Sequence, residues 1–476
     1  MSETHEQTGP SSDAAGDRPK ANPKDLPWPE SLVLEKPPYK PRVMRVSNDR
    51  FYKQEYHDLE VERIWKKAWQ WACREEEIPE IGDHIIYEVA ELSFIVMRTG
   101  ENEFKAYWNS CLHRNRKLRD CDGKRATELR CMFHGWAWNI DGTIKSMTCG
   151  YDFPDTGDEV ARLPEARTGT WGGFVFINPD EDCEPLEDFL GELPQHFEGA
   201  NHDFGKRWKQ VHVLADIPAN WKVAQEAFIE PWHAGTTHPQ FMDVPDSPMT
   251  GIRWDDFGNW MRSAPSLSSD TYSSPHPGFL VTADTPQDYL NQHWDTHLNE
   301  EPMRKVEEGK HVLETLFGTI REQYRSVIGD KVDEYHDVHL IGFEMVHVFP
   351  NFHPWAGFSR LVYRFRPYKS DPNRSLMDVL LMAPWPEDTP RPPPAPVHKL
   401  GPEQPISDAP ELGMLGRVFL QDIINMPAVQ EGLKASKYGY VILGKHNDAP
   451  VRHLHDLYNK WMGIDENETV VRKGEK

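Results

Sequence analysis

The chain lacks any apolar run near the roughly 18 residues that a membrane-spanning helix needs, and its mean hydropathy is −0.69. It also lacks an apolar stretch behind its first residues. Met1 to about Pro29 is polar, with Gly, Ser, Pro and mixed charge, so no secretory signal is read there. That stretch is expected to be a disordered lead-in, and the chain soluble and cytoplasmic. Cysteine is scarce: six residues in 476, which excludes a disulfide framework and fits a reducing compartment. Positive charge is also short. There are 53 Lys and Arg against 76 Asp and Glu, a formal net charge of −23. This argues against a nucleic-acid partner, because phosphate binding wants basic surfaces. The length allows two or three domains and a large core.

What is there begins with two short motifs: Cys111-Leu-His113 and, after a gap of 17 residues, Cys131-Met-Phe-His134. Buried apolar cysteines beside satisfied core histidines are the bland reading of either motif alone. Zinc is a second reading, but a zinc finger places both cysteines first and both histidines after them. Here each half carries one Cys and one His. A Rieske 2Fe–2S centre needs that arrangement, with two Cys on one iron and two His on the other. Gly135-Trp136 follows His134, Gly142 lies a few residues on, and Arg114 follows His113. Together these stretches resemble the two cluster loops of the Rieske family. The first loop departs from the usual Cys-Pro-His-Arg-Gly-Ala by reading Cys111-Leu-His113-Arg114-Asn115-Arg116. Asn tolerates the left-handed backbone where Gly is expected. Arg114, Arg116, Lys117 and Arg119 make a basic cluster that would suit an acidic redox protein; otherwise it is a solvated charged loop.

The flanking pattern predicts a small antiparallel β domain over 50–178. An amphipathic helix is expected at 56–71, carrying Leu59, Ile64, Trp65, Ala68 and Trp69 on one face. Short strands follow near 84–89, 93–98, 103–108 and 172–177. Residues 1–49 form the tail and lead-in, and 179–476 a second domain. There a strand is expected near 211–215, a helix start at 220–228, and long strands near 338–349, 358–368 and 375–384. Helices are expected near 301–328, 411–435 and 451–462. The fold class is α+β, with helices on a twisted antiparallel sheet of helix-grip type. Residues 241–300 read as a long functional or disordered loop, and 386–396 as an exposed Pro-rich connector.

The second domain carries the other signal: Asn220-Trp221-Lys222, then Glu230-x-x-His233-x₄-His238. Two imidazoles and one carboxylate make the facial triad of non-haem Fe(II) oxygenases. A spacing of five does not suit a regular helix, but a helix ending between the two histidines brings both to one metal. Behind a Rieske motif, this stretch resembles the mononuclear-iron segment of Rieske oxygenase large (alpha) subunits of the aromatic-ring-hydroxylating family. The resemblance is firm over 50–240 and looser over 411–435. It implies a third ligand, Asp422, in Gln421-Asp422-Ile-Ile-Asn425-Met-Pro-Ala-Val429-Gln430-Glu-Gly432-Leu433, where the family has an acid before the Asp. Glu344 is the rival. It also implies that Glu230 bridges His233 and a cluster histidine, His134, of a neighbouring subunit. Asn220 would lie near the iron as a distant group. Catalytic roles are thus expected for Glu230 and Asn220.

The resemblance implies a terminal oxygenase holding a Rieske 2Fe–2S cluster and mononuclear Fe(II). A ferredoxin or flavin reductase would supply electrons from NAD(P)H, and dioxygen and a small organic substrate would meet at the iron. A homotrimer is implied, with or without small β subunits. Phe241, Met242, Trp254, Phe257, Trp260, Phe279, Phe343 and Phe352 suit an aromatic or other apolar substrate, as they would suit a core. Aromatic-ring dioxygenation is expected. Monooxygenation with N- or O-demethylation is the alternative, because some branches acting on methylammonium compounds also carry Glu at the bridge. A Rieske electron carrier without oxygenase chemistry is the reading from another class; the long second domain argues against it.

Overall fold

The computed structural model describes residues 44–199, 203–230, 233–238, 252–256, 258–265, 305, 312–335, 345–386, 389–444 and 447–465. The N-terminal lead-in, Phe241, Met242, Phe257, Phe279, Phe343 and Glu344 lie outside them, as does the side chain of Trp254. All of 266–304 lies outside them too.

The described residues open with β1 (Met44–Ser47), followed by α1 (Gln54–Glu60). Helical winding past α1 widens into an i→i+5 turn at Val61–Trp65, closed by Lys66 N–H on the Val61 carbonyl at 3.0 Å. It then stops, which shortens the helix expected over 56–71: Gln70 already begins a strand. Ile64, Trp65, Ala68 and Trp69 are buried as expected, whereas Leu59 is exposed. The cause is β2 (Gln70–Arg74), which is buried on both faces. Without polar alternation, its residues extend the apolar pattern of the helix before it.

Next come β3 (His84–Val89), β4 (Leu92–Arg98) and β5 (Phe104–Trp108). Three short strands follow, β6 (Leu129–Arg130), β7 (Ala137–Trp138) and β8 (Ile144–Ser146), and then β9 (Glu165–Trp171) and β10 (Phe174–Asn178). One six-stranded antiparallel sheet runs β2-β10-β9-β5-β4-β3, and β6-β7-β8 form a small sheet of their own. A compact core of Ile95, Met97, Tyr107, Leu129, Trp136 and Trp138 lies beneath the segments that carry Cys111 and Cys131. Gly142 is needed here. Its φ is +84°, and a Cβ would meet the Tyr107 ring at 2.7 Å.

The later part is built on β11 (Arg207–Ile217). It leads to α2 (Trp221–Ala227) and to the single-turn α3 (Ala234–Thr237). Then come β12 (Ile252–Asp256), β13 (Trp260–Pro265), α4 (Val312–Ile328), β14 (Met345–Val348) and β15 (His353–Pro354). The long strands β16 (Leu361–Tyr368) and β17 (Asp371–Pro384) are followed by β18 (His398–Lys399), α5 (Met414–Ala435), β19 (Tyr440–Leu443) and α6 (Ala449–Met462). A five-stranded sheet runs β15-β16-β17-β11-β18, antiparallel except for the last pair. A three-stranded sheet runs β12-β13-β14, and β1 pairs with β19. The fold is the expected α+β type, helices on an antiparallel sheet behind a small β domain.

Buried charge joins the first sheet to the second. Asp378 on β17 binds Arg364 Nε at 2.9 Å and His212 Nε2 at 2.9 Å, and Arg364 donates onward to the Trp71 carbonyl on β2 at 2.7 Å. All three side chains are almost fully buried. Such groups are tolerated inside only when paired and hydrogen-bonded.

Candidate functional site

The two cysteine loops are near copies of one another. Cys111 N–H bonds the Arg116 carbonyl at 2.9 Å, and Asn115 N–H bonds the Cys111 carbonyl at 2.9 Å. Cys131 N–H bonds the Trp136 carbonyl at 2.8 Å, and Gly135 N–H bonds the Cys131 carbonyl at 3.1 Å. The fifth residue of each loop turns left-handed, with φ +56° at Asn115 and +82° at Gly135. Asn115 thus does the work that glycine does in the second loop. In each loop two backbone amides favour the thiolate: those of His113 and Arg114 at Cys111, and those of Phe133 and His134 at Cys131. Burial opposes ionisation of both thiols. Within the coupled pair, it leaves Cys111 above the ordinary thiol value, while the amides and Arg116 draw Cys131 below it.

The two imidazoles meet edge to face, with centroids 4.6 Å apart. Trp136 stacks beneath His113 at 5.0 Å, and Phe153 closes the edge. His113 Nδ1 is buried with no hydrogen-bond partner. Two adjoining sulfurs, two adjoining imidazoles and a buried ring nitrogen left unsatisfied fit a cluster held by two Cys and two His. The rim is less basic than its sequence. Arg116 pairs with Asp120 at 2.7 Å and Lys117 with Glu88 at 2.6 Å. Arg119 spends its guanidinium on the Leu118 and Glu128 carbonyls. What protrudes is apolar: Met132 and Phe133 are 75% and 56% exposed, and Tyr151 82%.

The second site gathers three segments. His233 precedes α3, whose Thr236 and Thr237 amides both bond the His233 carbonyl at 2.9 Å. His238 follows that single turn, so the helix does end between the two histidines. Asp422 comes from α5. Its Oδ1 lies 3.3 Å from His233 Nε2 and 3.0 Å from His238 Nε2. One ligand atom from each residue falls within 4.8 Å of the others. Asp422 Oδ1 is buried and makes no well-formed hydrogen bond. A buried carboxylate oxygen that lies between two ring nitrogens fits a divalent cation.

The opposite ring nitrogens are held. His233 Nδ1 lies 2.7 Å from Glu230 Oε1, and the His233 amide donates to Oε2 at 3.2 Å. His238 Nδ1 lies 2.9 Å from Gln421 Oε1. A ligating imidazole commonly gives its remaining N–H to such a partner, which fixes the ring. Burial lowers the His233 pKa, but Asp422 and Glu230 outweigh it and carry the metal-free imidazole up to about 10. Gln421 had no role in the sequence reading. Its only signal was its place beside Asp422.

Asn220 has hydrogen bonds of its own to make. It caps α2, accepting from Lys222 N–H at 3.0 Å, and its amide donates to the Pro372 carbonyl at 2.7 Å. It is a scaffold residue, as Asn at a helix start commonly is. Its neighbours serve the same end. Trp221 Nε1 and the Lys222 ammonium both bind the buried Glu60 carboxylate at the end of α1. Gln430 accepts from the Asn220 amide at 3.0 Å and donates to the Phe51 carbonyl at 2.9 Å, locking α5 against α2.

Residues 205–464 match the family model of the ring hydroxylating alpha subunit (catalytic domain), and residues 68–154 match the Rieske [2Fe-2S] domain. The chain belongs to the ring-hydroxylating alpha-subunit family. That family carries a 2Fe–2S cluster in the Rieske domain and a mononuclear iron in the catalytic domain. The anthranilate 1,2-dioxygenase large subunit of Acinetobacter baylyi is 29% identical over 42% of this chain and 44% of its own length. The carnitine monooxygenase oxygenase subunit of Escherichia coli is 28% identical over 41% of this chain and 52% of its own. The chain thus spans about half the length of the curated relatives it matches. Among solved structures, a quaternary ammonium Rieske monooxygenase superposes with TM-score 0.59 at 18% identity, covering 91% of this chain and 99% of the other. Naphthalene 1,2-dioxygenase superposes with TM-score 0.60 at 17% identity, covering 88% and 92%. These two likenesses establish the shared fold. Among the described residues, no helix is long and apolar enough to cross a membrane.

Proposed function

We propose that the chain is the terminal oxygenase of a multicomponent system that draws electrons from NAD(P)H through a ferredoxin or flavin reductase and oxidises a small organic substrate with dioxygen. The observation that carries this is the convergence of His233 Nε2, His238 Nε2 and Asp422 Oδ1 in a chain that also pairs Cys111 and Cys131 with His113 and His134. In this reading the cysteines and histidines hold the cluster, and His233, His238 and Asp422 hold Fe(II). Bound there, the two groups supply one-electron transfer and dioxygen activation. The protein's part is orientation: Glu230 and Gln421 hold the ring of each histidine ligand, and Glu230 is assigned the bridge to His134 of a neighbouring subunit in a homotrimer. The domains are assigned as 50–178 for the cluster and 179–476 for the iron, behind the 1–49 lead-in.

Aromatic-ring dioxygenation is the first reading of the reaction, supported by the family match and the anthranilate dioxygenase relative. Oxidative demethylation of a methylammonium compound is the second, and one observation favours it: the bridge position holds Glu230, whose carboxylate reaches His233 Nδ1 at 2.7 Å. The test is turnover with ferredoxin and reductase supplied, against aromatic and N-methyl substrates, with products read by mass. Addition of two oxygens supports the first reading, and loss of a methyl the second. His233→Ala, His238→Ala and Asp422→Ala should each lose one iron per chain and all product while the cluster spectrum survives. Full iron and turnover in Asp422→Ala would move the third ligand elsewhere, with Glu344 tested next.

A further inference from the structure

The two imidazoles of the triad are backed by different chemistry. His233 has a carboxylate behind it, Glu230 at 2.7 Å, whereas His238 has a neutral amide, Gln421 at 2.9 Å. Gln421 and Asp422 are successive residues of α5 and point about 100° apart around it. One turn of helix therefore meets His238 at both ring nitrogens, with Asp422 Oδ1 3.0 Å from Nε2 and Gln421 Oε1 2.9 Å from Nδ1. Both His238 and Asp422 are buried, with 4% and 5% of their surface exposed.

We infer that Gln421 is a positioning residue that sets the metal-binding tautomer of His238 without adding charge to the site. An amide oxygen facing Nδ1 accepts a hydrogen bond from Nδ1–H and so keeps the proton there, which leaves the Nε2 lone pair for a metal. Turned over, the amide would present N–H to Nδ1 and drive the proton to Nε2, where it blocks ligation. A carboxylate at 421 would fix the tautomer equally well. It would also add an anion one residue from Asp422, in a site where Glu230 already supplies one. Gln at this position supplies the acceptor without the charge. The inference rests on the assignment of His233, His238 and Asp422 as the mononuclear site.

The test uses full-length protein with its cluster in place and its mononuclear iron removed, titrated with Co(II) and followed by the visible Co(II) bands. Gln421→Met keeps the side-chain length but offers no oxygen. It should weaken Co(II) binding by about 10- to 100-fold, the range for loss of such a partner. Gln421→Glu should bind Co(II) at least as tightly as wild type. The cluster's electron paramagnetic resonance and the urea midpoint should be unchanged in both. Wild-type Co(II) affinity in Gln421→Met overturns the inference, and so does equal weakening in both variants, which marks a packing role. Asp422→Ala is the control. If it too binds Co(II) normally, the assignment of the site has failed rather than the role of Gln421.

Discussion

Glu60 offers the sharpest test of how the segment proposed to hold iron is anchored. It lies 1% exposed at the end of α1, and three donors converge on it. Lys222 and Tyr458 bind Oε1, the tyrosine at 2.8 Å, and Trp221 Nε1 binds Oε2 at 2.8 Å. Lys222 is fully buried, with its ammonium 4.8 Å from the Trp221 ring and 5.2 Å from the Tyr458 ring. Glu60→Gln keeps the shape and removes the charge, which strands a buried ammonium. Breaking such a pair from one side costs about 3–5 kcal/mol. Lys222→Met added to Glu60→Gln removes the stranded charge, so the double variant should be more stable than Glu60→Gln alone.

The loss should also depend on pH. Burial already holds the Lys222 pKa below its ordinary value while Glu60 pulls it back. Without Glu60 it falls further, so the folded state releases this proton before the unfolded chain does near ~10.4. Between those two values the unfolded state binds more protons, and stability rises with pH. The Glu60→Gln penalty should therefore shrink as pH rises towards about 10. Urea unfolding followed by tryptophan fluorescence measures both effects. A double variant less stable than Glu60→Gln, or a penalty that does not move with pH, would refute the stranded-charge argument.

His113→Cys or His134→Cys should change or abolish the Rieske electron paramagnetic resonance signal, since imidazole ligation sets it; an unaltered signal in both variants would sink the cluster assignment. Glu230→Gln should keep the cluster and most mononuclear iron yet lose at least about tenfold in product; rapid-mixing reduction at the wild-type rate, with full product yield, would remove the bridge. Asp378 is held well below the usual carboxylate range: burial raises it, but Arg364 and Arg366 outweigh burial. Its stabilisation is complete above the unfolded value near ~3.9 and lost as pH falls below it. The stability gap between wild type and Asp378→Asn should therefore be flat above about pH 5 and close in acid; a constant gap across urea midpoints would count against the buried pairing.

Legibility in the sequence followed range. Short strands set off by turns were plain: β3 falls at His84–Val89 and β5 at Phe104–Trp108, close to where they were expected. β2 was hidden because its buried residues run on directly from the apolar pattern of the helical turn before it. The cysteine loops were legible to single residues, down to Asn115, because each closes on its own backbone within six positions. Asn220 is legible locally as a residue that starts a helix, and it caps α2 through the Lys222 amide. Lys222 gave no local hint of burial, since its partner, Glu60, lies on another helix 162 residues away. Gln421 reads as an ordinary polar helix residue until His238 is placed against it, 183 positions off in sequence.

That contrast of range also governs how the two sites should fail. The cluster loops carry their own hydrogen bonds and rest on a small local core, so only changes within them or directly beneath them reach the four proposed ligands. The triad has no such self-sufficiency. His233 and His238 follow α2, and Asp422 rides on α5. The two helices are registered by Gln430 between the Asn220 amide and the Phe51 carbonyl, and by Glu60 beneath Trp221 and Lys222. Each of these nodes is a buried polar group with several partners, and leaving such groups unmatched costs more than an apolar contact gains. Substitutions at Glu60, Lys222 or Gln430, none of them a ligand, should therefore deplete mononuclear iron while the cluster persists. Substitutions in the Rieske core, such as Trp136, should do the reverse.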